Sequence, residues 1–269
     1  MHPFDASLQL DPAAGAPQVD PAIFRARTST RYRNAIGPFG GWTAALLVKG
    51  VLSMPEARGH PLSLDAIFMG PIDDGELELR VSRLRQNRSV GFWRAEIWQH
   101  ASMCAHAQIA LSLSRSGSLL QDAQPPAMPP PDEIPVYVNP REPVPWIEQY
   151  VFKPVRGFLF SRAESMDALT WIRDAVPRPL DAISLTALCD TPFPSPWIRL
   201  DSQTPVSTVS FSVYYRAAGA ALAQVGDDFV LMESRAALMR DGYVDQFTHL
   251  WSRTGQLLAQ TQQMLWVSG

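Results

Sequence analysis

Gly40-Gly-Trp-Thr-Ala-Ala-Leu-Leu-Val-Lys-Gly-Val-Leu-Ser-Met54, followed by Pro61-Leu-Ser-Leu-Asp-Ala-Ile-Phe68, decides the fold, because the chain says much the same thing again further on. Leu180–Asp190 is a second apolar helical run, and Thr208-Val-Ser-Phe-Ser-Val-Tyr-Tyr215 is a second alternating strand after it. The two strands align at a constant offset: Leu62 with Val209, Ser63 with Ser210, Leu64 with Phe211, Ala66 with Val213 and Phe68 with Tyr215. A helix-then-sheet unit used twice predicts two similar halves, with chemistry where the halves differ. One such difference is Thr208, which aligns with Pro61.

Outward from the first repeat, the apolar residues of Gly40–Met54 occupy nearly every helical face, so this helix belongs in an interior. Strands are predicted at Leu62–Met69, Glu76–Arg85, Gly91–His100 and Ser102–Ser112, with a short one within Phe24–Pro38. Glu76-Leu-Glu-Leu-Arg-Val-Ser-Arg-Leu84 alternates cleanly, as a sheet with one wet face requires. Residues 1–20, rich in Pro, Ala, Gly and Asp, read as a loosely held lead-in.

Nine prolines between Pro125 and Pro145 exclude a helix or inner strand there. The second half resumes at Ile147–Phe160, passes Trp171-Ile-Arg173 and enters its helix at Pro179. That helix must stop near Asp190, because Pro192, Pro194 and Pro196 follow. Strands are then predicted at Val206–Arg216, Phe229–Arg240, Tyr243–Ser252 and Leu257–Val267. The expected organisation is one half over 1–115, a Pro-rich linker over 116–146 and a second half over 147–269. The fold class is α+β, two antiparallel sheets each curled around a long central helix.

Composition narrows the function. A net charge of −3, with scattered arginines, gives no electrostatic reason to expect nucleic acid or an anionic membrane as partner. The longest uninterrupted apolar stretch, Ala44–Val48, falls far short of the ~20 residues of a membrane helix. The first residues show neither the basic nor the apolar region of a signal peptide, so the chain reads as soluble and cytoplasmic. Cys104 and Cys189 lie in apolar contexts and read as buried free thiols. There is no Gly-x-Ser-x-Gly elbow, no metal-spaced Cys/His cluster and no phosphate-cradling glycine loop, so no metal or other cofactor is expected. His60, His100, His106 and His249 are isolated, which disfavours a nucleophilic triad. Chemistry would then use water activated by a carboxylate.

Three polar residues of the second half sit where local physics makes them expensive. Asp190 closes an apolar helix, where a carboxylate meets the negative end of the dipole at a cost of roughly 0.3–1 kcal/mol. It either hydrogen-bonds the Thr191-Pro192 turn or has another task. Gln263 shares its strand face with Leu257, Ala259, Leu265 and Val267. A buried amide without a partner costs roughly 1–3 kcal/mol, so it should have a partner or a job. Thr208 lies on the polar face with Ser210, Ser212 and Tyr214, an awkward place from which to meet Gln263. A bulge, or twist at the first residues of the strand, would reconcile the two.

With these residues in hand, the chain resembles the acyl-CoA thioesterase II-like family of double hotdog proteins. The resemblance is carried by Gly37-Pro-Phe-Gly-Gly-Trp42, His60-Pro-Leu-Ser-Leu64 and Arg85-Gln-Asn-Arg-Ser89 in the first half. In the second it is carried by Trp171-Ile-Arg173, Leu180-Asp-Ala-Ile183, Leu188-Cys-Asp190, Ser207-Thr208, Asp241-Gly-Tyr243, Leu250-Trp251 and Gly255–Gln263. It spans roughly residues 25–268, and the order of the motifs is more specific than any one of them.

The resemblance implies an acyl-CoA or related thioester as small-molecule substrate. It also implies that Asp190 orients and deprotonates water while Thr208 and Gln263 fix that water by hydrogen bonds. A backbone N–H at a helix start, with Gly40-Gly41 one candidate, would serve the thioester oxygen. Two positions depart from the family pattern: Asn87 replaces a Gly, and Ser210 stands where relatives often carry Asp. A non-catalytic acyl-CoA-binding hotdog protein is the competing reading. A hotdog hydratase or dehydratase is a third, for which the expected His is missing. An exposed sheet edge makes a homodimer or tetramer compatible with the chain.

Overall fold

The computed structural model describes residues 1–13, 20–113, 118–138 and 144–268. In chain order its elements are α1 (Pro3–Ser7), β1 (Asp11–Pro12), β2 (Ala22–Arg27), α2 (Gly40–Leu52), β3 (His60–Phe68), β4 (Glu76–Gln86), β5 (Val90–Gln99) and β6 (Ser102–Ser112). The second half follows as β7 (Tyr150–Arg156), β8 (Ala168–Asp174), α3 (Ala182–Leu188), α4 (Pro196–Arg199), β9 (Val206–Tyr215), α5 (Ala220–Val225), β10 (Val230–Arg235), β11 (Met239–Arg240), β12 (Tyr243–Trp251) and β13 (Leu257–Val267).

All the strands among the described residues join one antiparallel sheet of 13 strands, in the order β1-β2-β4-β5-β6-β3-β9-β13-β12-β10-β8-β7, with β11 on β12. Two sheets are expected from the sequence; the structure has one, because β3 and β9 pair with each other. The order read outward from that pair is the same on both sides, β3-β6-β5-β4-β2 and β9-β13-β12-β10-β8. The doubling read in the sequence is therefore a twofold-like relation in space. Asp65 and Ser212, equivalent by the offset of 147, are also direct antiparallel partners, and Ser212 Oγ donates to Asp65 Oδ1 at 2.7 Å. The approximate axis passes through this pair.

The interior is built around α2, in which Gly41 to Val48, Gly50 and Val51 are all buried. This helix packs on β3, β4, β5 and β6 and, at its start, on α3. Its all-round apolar character has the interior placement that the sequence implies. The second helix is shorter than the predicted Leu180–Asp190. Asp181 caps it, accepting from Ile183 N at 2.9 Å and Ser184 N at 2.8 Å, so regular helix begins only at Ala182. Cys189 closes it, and the three prolines prevent its continuation.

Two further expectations change. The described part of the lead-in is held in place: Phe4 and Leu8 are buried in the main core, Trp42 Nε1 donates to Ser7 Oγ at 3.0 Å, and Arg178 grips Asp5 at 2.8 Å. Low-complexity composition hid two apolar anchors; residues 14–19 lie outside the described residues. The predicted strand Phe229–Arg240 is split, because the Asp245 carboxylate takes the N–H groups of Ala237 and Leu238 and pulls that stretch out of the ladder.

Of the linker, residues 116, 117 and 139–143 lie outside the described residues. The rest lies against the second half. Pro129 and Pro131 carbonyls accept from Trp171 Nε1 at 3.0 Å and Lys153 Nζ at 2.7 Å, and Met128 and Ile134 cover a small cluster of Leu169, Trp171, Leu231 and Trp251. Both cysteines are free and buried.

The anchoring of the N-terminus yields a test. Phe4→Ala should destabilise the protein by about 3 kcal/mol, the usual cost of emptying a buried aromatic site, as read by the urea midpoint. A change within ~0.5 kcal/mol would return these residues to the status of a loose lead-in.

Candidate active site

The second helix ends pointing at the beginning of the first. Past Cys189 the chain turns: Thr191 Oγ1 donates to the Leu188 carbonyl at 2.7 Å and Asp190 N to the Ala187 carbonyl at 3.2 Å. This carries the Asp190 carboxylate across to the N-terminus of α2. The approach is close enough to require both glycines there. A Cβ on Gly40 would fall 2.7 Å from Asp190 Oδ2, and one on Gly41 would fall 2.5 Å from the Ala187 carbonyl oxygen.

The expense identified in the sequence is thus offset from outside. Asp190 lies at the negative end of its own helix, but its carboxylate accepts a hydrogen bond from the Gly41 backbone N–H, at the positive end of another. Within α2, the first amide to reach a carbonyl is that of Thr43, onto Phe39 at 3.1 Å, so the amides before it face outward. Of the two glycines expected to serve a thioester oxygen, Gly41 has its N–H turned toward the carboxylate.

Gln263 supplies the second hydrogen bond to Asp190. It lies on the inner face of β13, 3% exposed, opposite Phe211 on one side and Gln246 on the other. Thr208 reaches it because the pairing of β9 with β13 slips: Met264 pairs with Ser210, whereas Leu265 pairs with Thr208. Val209 is the extra residue of a bulge. Beyond it Phe211, Val213 and Tyr215 face the core; before it the inward set shifts by one to include Thr208. Thr208 Oγ1 donates to Gln263 Oε1 at 3.4 Å. That bond leaves the amide nitrogen of Gln263 for Asp190, so the three side chains form one relay of contacts. Ser210 lies just past the bulge, partly buried beside Met264.

Burial dominates the electrostatics. It drives the Asp190 carboxyl up to about 7, against the opposing pull of the Gln263 and Gly41 hydrogen bonds. Tyr150, whose ring meets Phe39 edge-on, is buried with its hydroxyl unpartnered among the described residues. Burial and the nearby carboxylates of Asp174 and Asp190 hold that hydroxyl firmly protonated.

Sequence reasoning missed Gln246. Its Oε1 accepts from both Ser195 N (2.9 Å) and Ser195 Oγ (2.8 Å), tying the proline-rich segment after Asp190 to β12 directly beside Gln263. The signal was available, since Val244, Gln246, Thr248 and Leu250 share one inward face, as Gln263 does with its neighbours. The histidines stay apart from this site. His249 lies 3.6 Å from Glu233, and none of the five acts on Asp190. Among the described residues, no three His, Cys, Asp or Glu side chains come together to hold a metal, and no helix is long and apolar enough to cross a membrane.

Comparisons with known proteins agree with this architecture. A crystal structure of a hot dog fold protein of unknown function from Alicyclobacillus acidocaldarius is 32% identical, superposes with a TM-score of 0.94, and the match covers 100% of this chain and 99% of that one. The TesB2 acyl-CoA thioesterase II of Mycobacterium marinum is 19% identical, with a TM-score of 0.77 and 98% of each chain covered. The tesB protein of Mycobacterium avium subspecies paratuberculosis is 14% identical, with a TM-score of 0.80 and 99% and 98% covered. At these lower identities the likeness is one of fold. No curated protein matches the chain. The acyl-CoA thioesterase N-terminal domain model matches residues 28–112 and the C-terminal domain model residues 121–267. Matched over both halves and in their natural order, the chain belongs to the acyl-CoA thioesterase family.

Proposed function

We propose that the protein hydrolyses an acyl-CoA or related acyl thioester, with Asp190 as general base and Thr208 and Gln263 holding the attacking water. The observation that carries this reading is the Thr208–Gln263–Asp190 relay, closed on its far side by the Gly41 N–H. A water between Asp190 and the thioester carbonyl would give its proton to the carboxylate as its oxygen bonds to the carbonyl carbon. When the intermediate collapses, the carbon–sulfur bond breaks and the proton passes from Asp190 to the departing thiolate. A carboxylic acid and a thiol leave, and Asp190 is restored.

Two features support a base in this position. A carboxyl held up to about 7 accepts a proton far more readily than an ordinary aspartate, yet is substantially ionised at neutral pH. The Thr208 hydroxyl, donating to Gln263, keeps its lone pairs for a water proton. The same reading takes the chain as two hotdog units, 1–115 and 147–269, joined by the Pro-rich segment, with each half's strands curled about its own helix and one site where the helices meet.

The test is thiol release from acyl-CoAs of graded chain length. Asp190→Asn should lower kcat by ~10²–10⁴-fold, and Gln263→Ala by a smaller factor, with both variants folded by circular dichroism. Acyl-CoA binding without turnover by the unaltered protein would instead identify a binding protein. In wild type, kcat/KM should rise with pH through about 7 and then level, because the base must be ionised. A rate already flat from pH 5 upward contradicts the assignment.

Stability should run the other way. A carboxyl raised from its usual value near 4 binds its proton more tightly in the folded state, so its contribution is greatest below that value and is lost as pH rises through about 7. Asp174, also held up to about 7 by burial, adds to this trend. Asp190→Asn should therefore melt above wild type at pH 8, with the gap closing towards pH 4.

A further inference from the structure

We propose that the apolar pocket beside the broken end of the second-half helix is the acyl subsite, and that Ser234 in its wall selects acyl groups carrying a hydrogen-bond acceptor beyond the thioester. This rests on thioester hydrolysis at Asp190 and extends it to the chemical class of the acyl group.

The pocket comes from an asymmetry between the halves. In the first, α2 runs unbroken for 13 residues; in the second, α3 stops after 7. Pro192 and Phe193, with Ile198 on α4, stand where the helix would have continued. Between them and Phe152, Met232 and Ser234 of the sheet lies an apolar pocket. Thr191 binds the two walls together, its hydroxyl shared between the Leu188 carbonyl and Met232 Sδ at 3.0 Å.

The pocket and the candidate base share one wall. Pro192 is two residues beyond Asp190. Phe39, immediately before Gly40, stacks on Trp146 with centroids 4.2 Å apart; Trp146 meets Phe193 at 6.2 Å, and Phe193 meets Phe152 at 5.1 Å. A row of rings thus leads from the helix end that holds Asp190 to the pocket. These rings make the ground between Asp190 and the pocket apolar.

Ser234, with Tyr137 and Thr170, puts a hydroxyl into this otherwise apolar lining. It is 2% exposed, and its oxygen accepts from Thr248 Oγ1 at 3.3 Å. Its own proton has no acceptor among the described residues. A buried donor left unpaired is costly, and sites that hydrogen-bond a substrate group discriminate strongly against analogues lacking it. A plain alkyl chain would leave the Ser234 proton dry; a keto or hydroxyl oxygen on the chain would accept it. Thr261, opposite Thr248, also has a buried, unpartnered hydroxyl.

The experiment compares hexanoyl-CoA with hexanoyl-CoAs bearing one keto oxygen at each successive carbon, and with acetyl-CoA. Wild type should prefer one keto isomer by about tenfold in kcat/KM, the factor conferred by one hydrogen bond of ordinary strength. Ser234→Ala should abolish that preference, and Thr170→Phe, which adds bulk to the pocket lining, should depress all hexanoyl substrates at least tenfold relative to acetyl-CoA. A preference that survives Ser234→Ala, or equal effects of Thr170→Phe on hexanoyl and acetyl substrates, overturns the proposal. If wild type hydrolyses none of these, the hydrolase reading falls, and the subsite is judged by binding of the matching non-hydrolysable thioethers. There, too, equal affinity of the keto and alkyl compounds, or no loss in Ser234→Ala, overturns it. Melting temperatures within a few degrees of wild type establish that the variants are folded.

Discussion

The contact on which the arrangement depends is that between the end of α3 and the start of α2, where the Asp190 carboxylate meets the Gly41 N–H. It solves two problems at once. A carboxylate at the end of its own helix and a set of unpaired amides at the start of another are each unfavourable alone. Brought together, each satisfies the other. The cost is steric, since a side chain at Gly40 would meet the Asp190 carboxylate and one at Gly41 the Ala187 carbonyl.

Nearly everything else follows from how the two helices are brought to that meeting. The β3–β9 pairing joins the halves into one sheet around the Asp65–Ser212 pair, so the related helices face each other. The proposed chemistry lies where the symmetry is broken. Gly40-Gly41 opens one helix and Asp190 closes the other; Pro61 is replaced by Thr208; an unbroken α2 is matched by an α3 cut short by prolines. A protein with identical halves would have neither the carboxylate nor the space beside it.

The electrostatic balance at Asp190 has a comparable logic. Enclosure raises its proton affinity, and two hydrogen-bond donors lower it again, leaving the group near 7. Removing the donors would leave a neutral acid, and opening the site would leave an ordinary, weakly basic aspartate. Gln263 can act on the carboxylate in a fixed sense because Thr208 orients its amide, and the bulge at Val209 gives Thr208 the right side of the strand. A single extra residue therefore determines which way a distant amide points.

The sequence by itself determined the doubling, most of the strand spans and the cost of Asp190 and Gln263, all of which are local properties. β6 and β13 have the bounds read from alternation, and α2 is buried as its all-round apolar composition requires. It also carried the family resemblance that the domain matches establish. Only the tertiary structure decided who partners whom. That Gly41 serves the carboxylate, that β3 and β9 fuse two sheets into one, that Gln246 stands beside Gln263, and that Phe4 anchors the N-terminus are facts about contacts between residues distant in the chain. Periodicity fixes the face on which a side chain lies but not what meets it there. A bulge defeats even that, because one unpaired residue reverses every face that follows it.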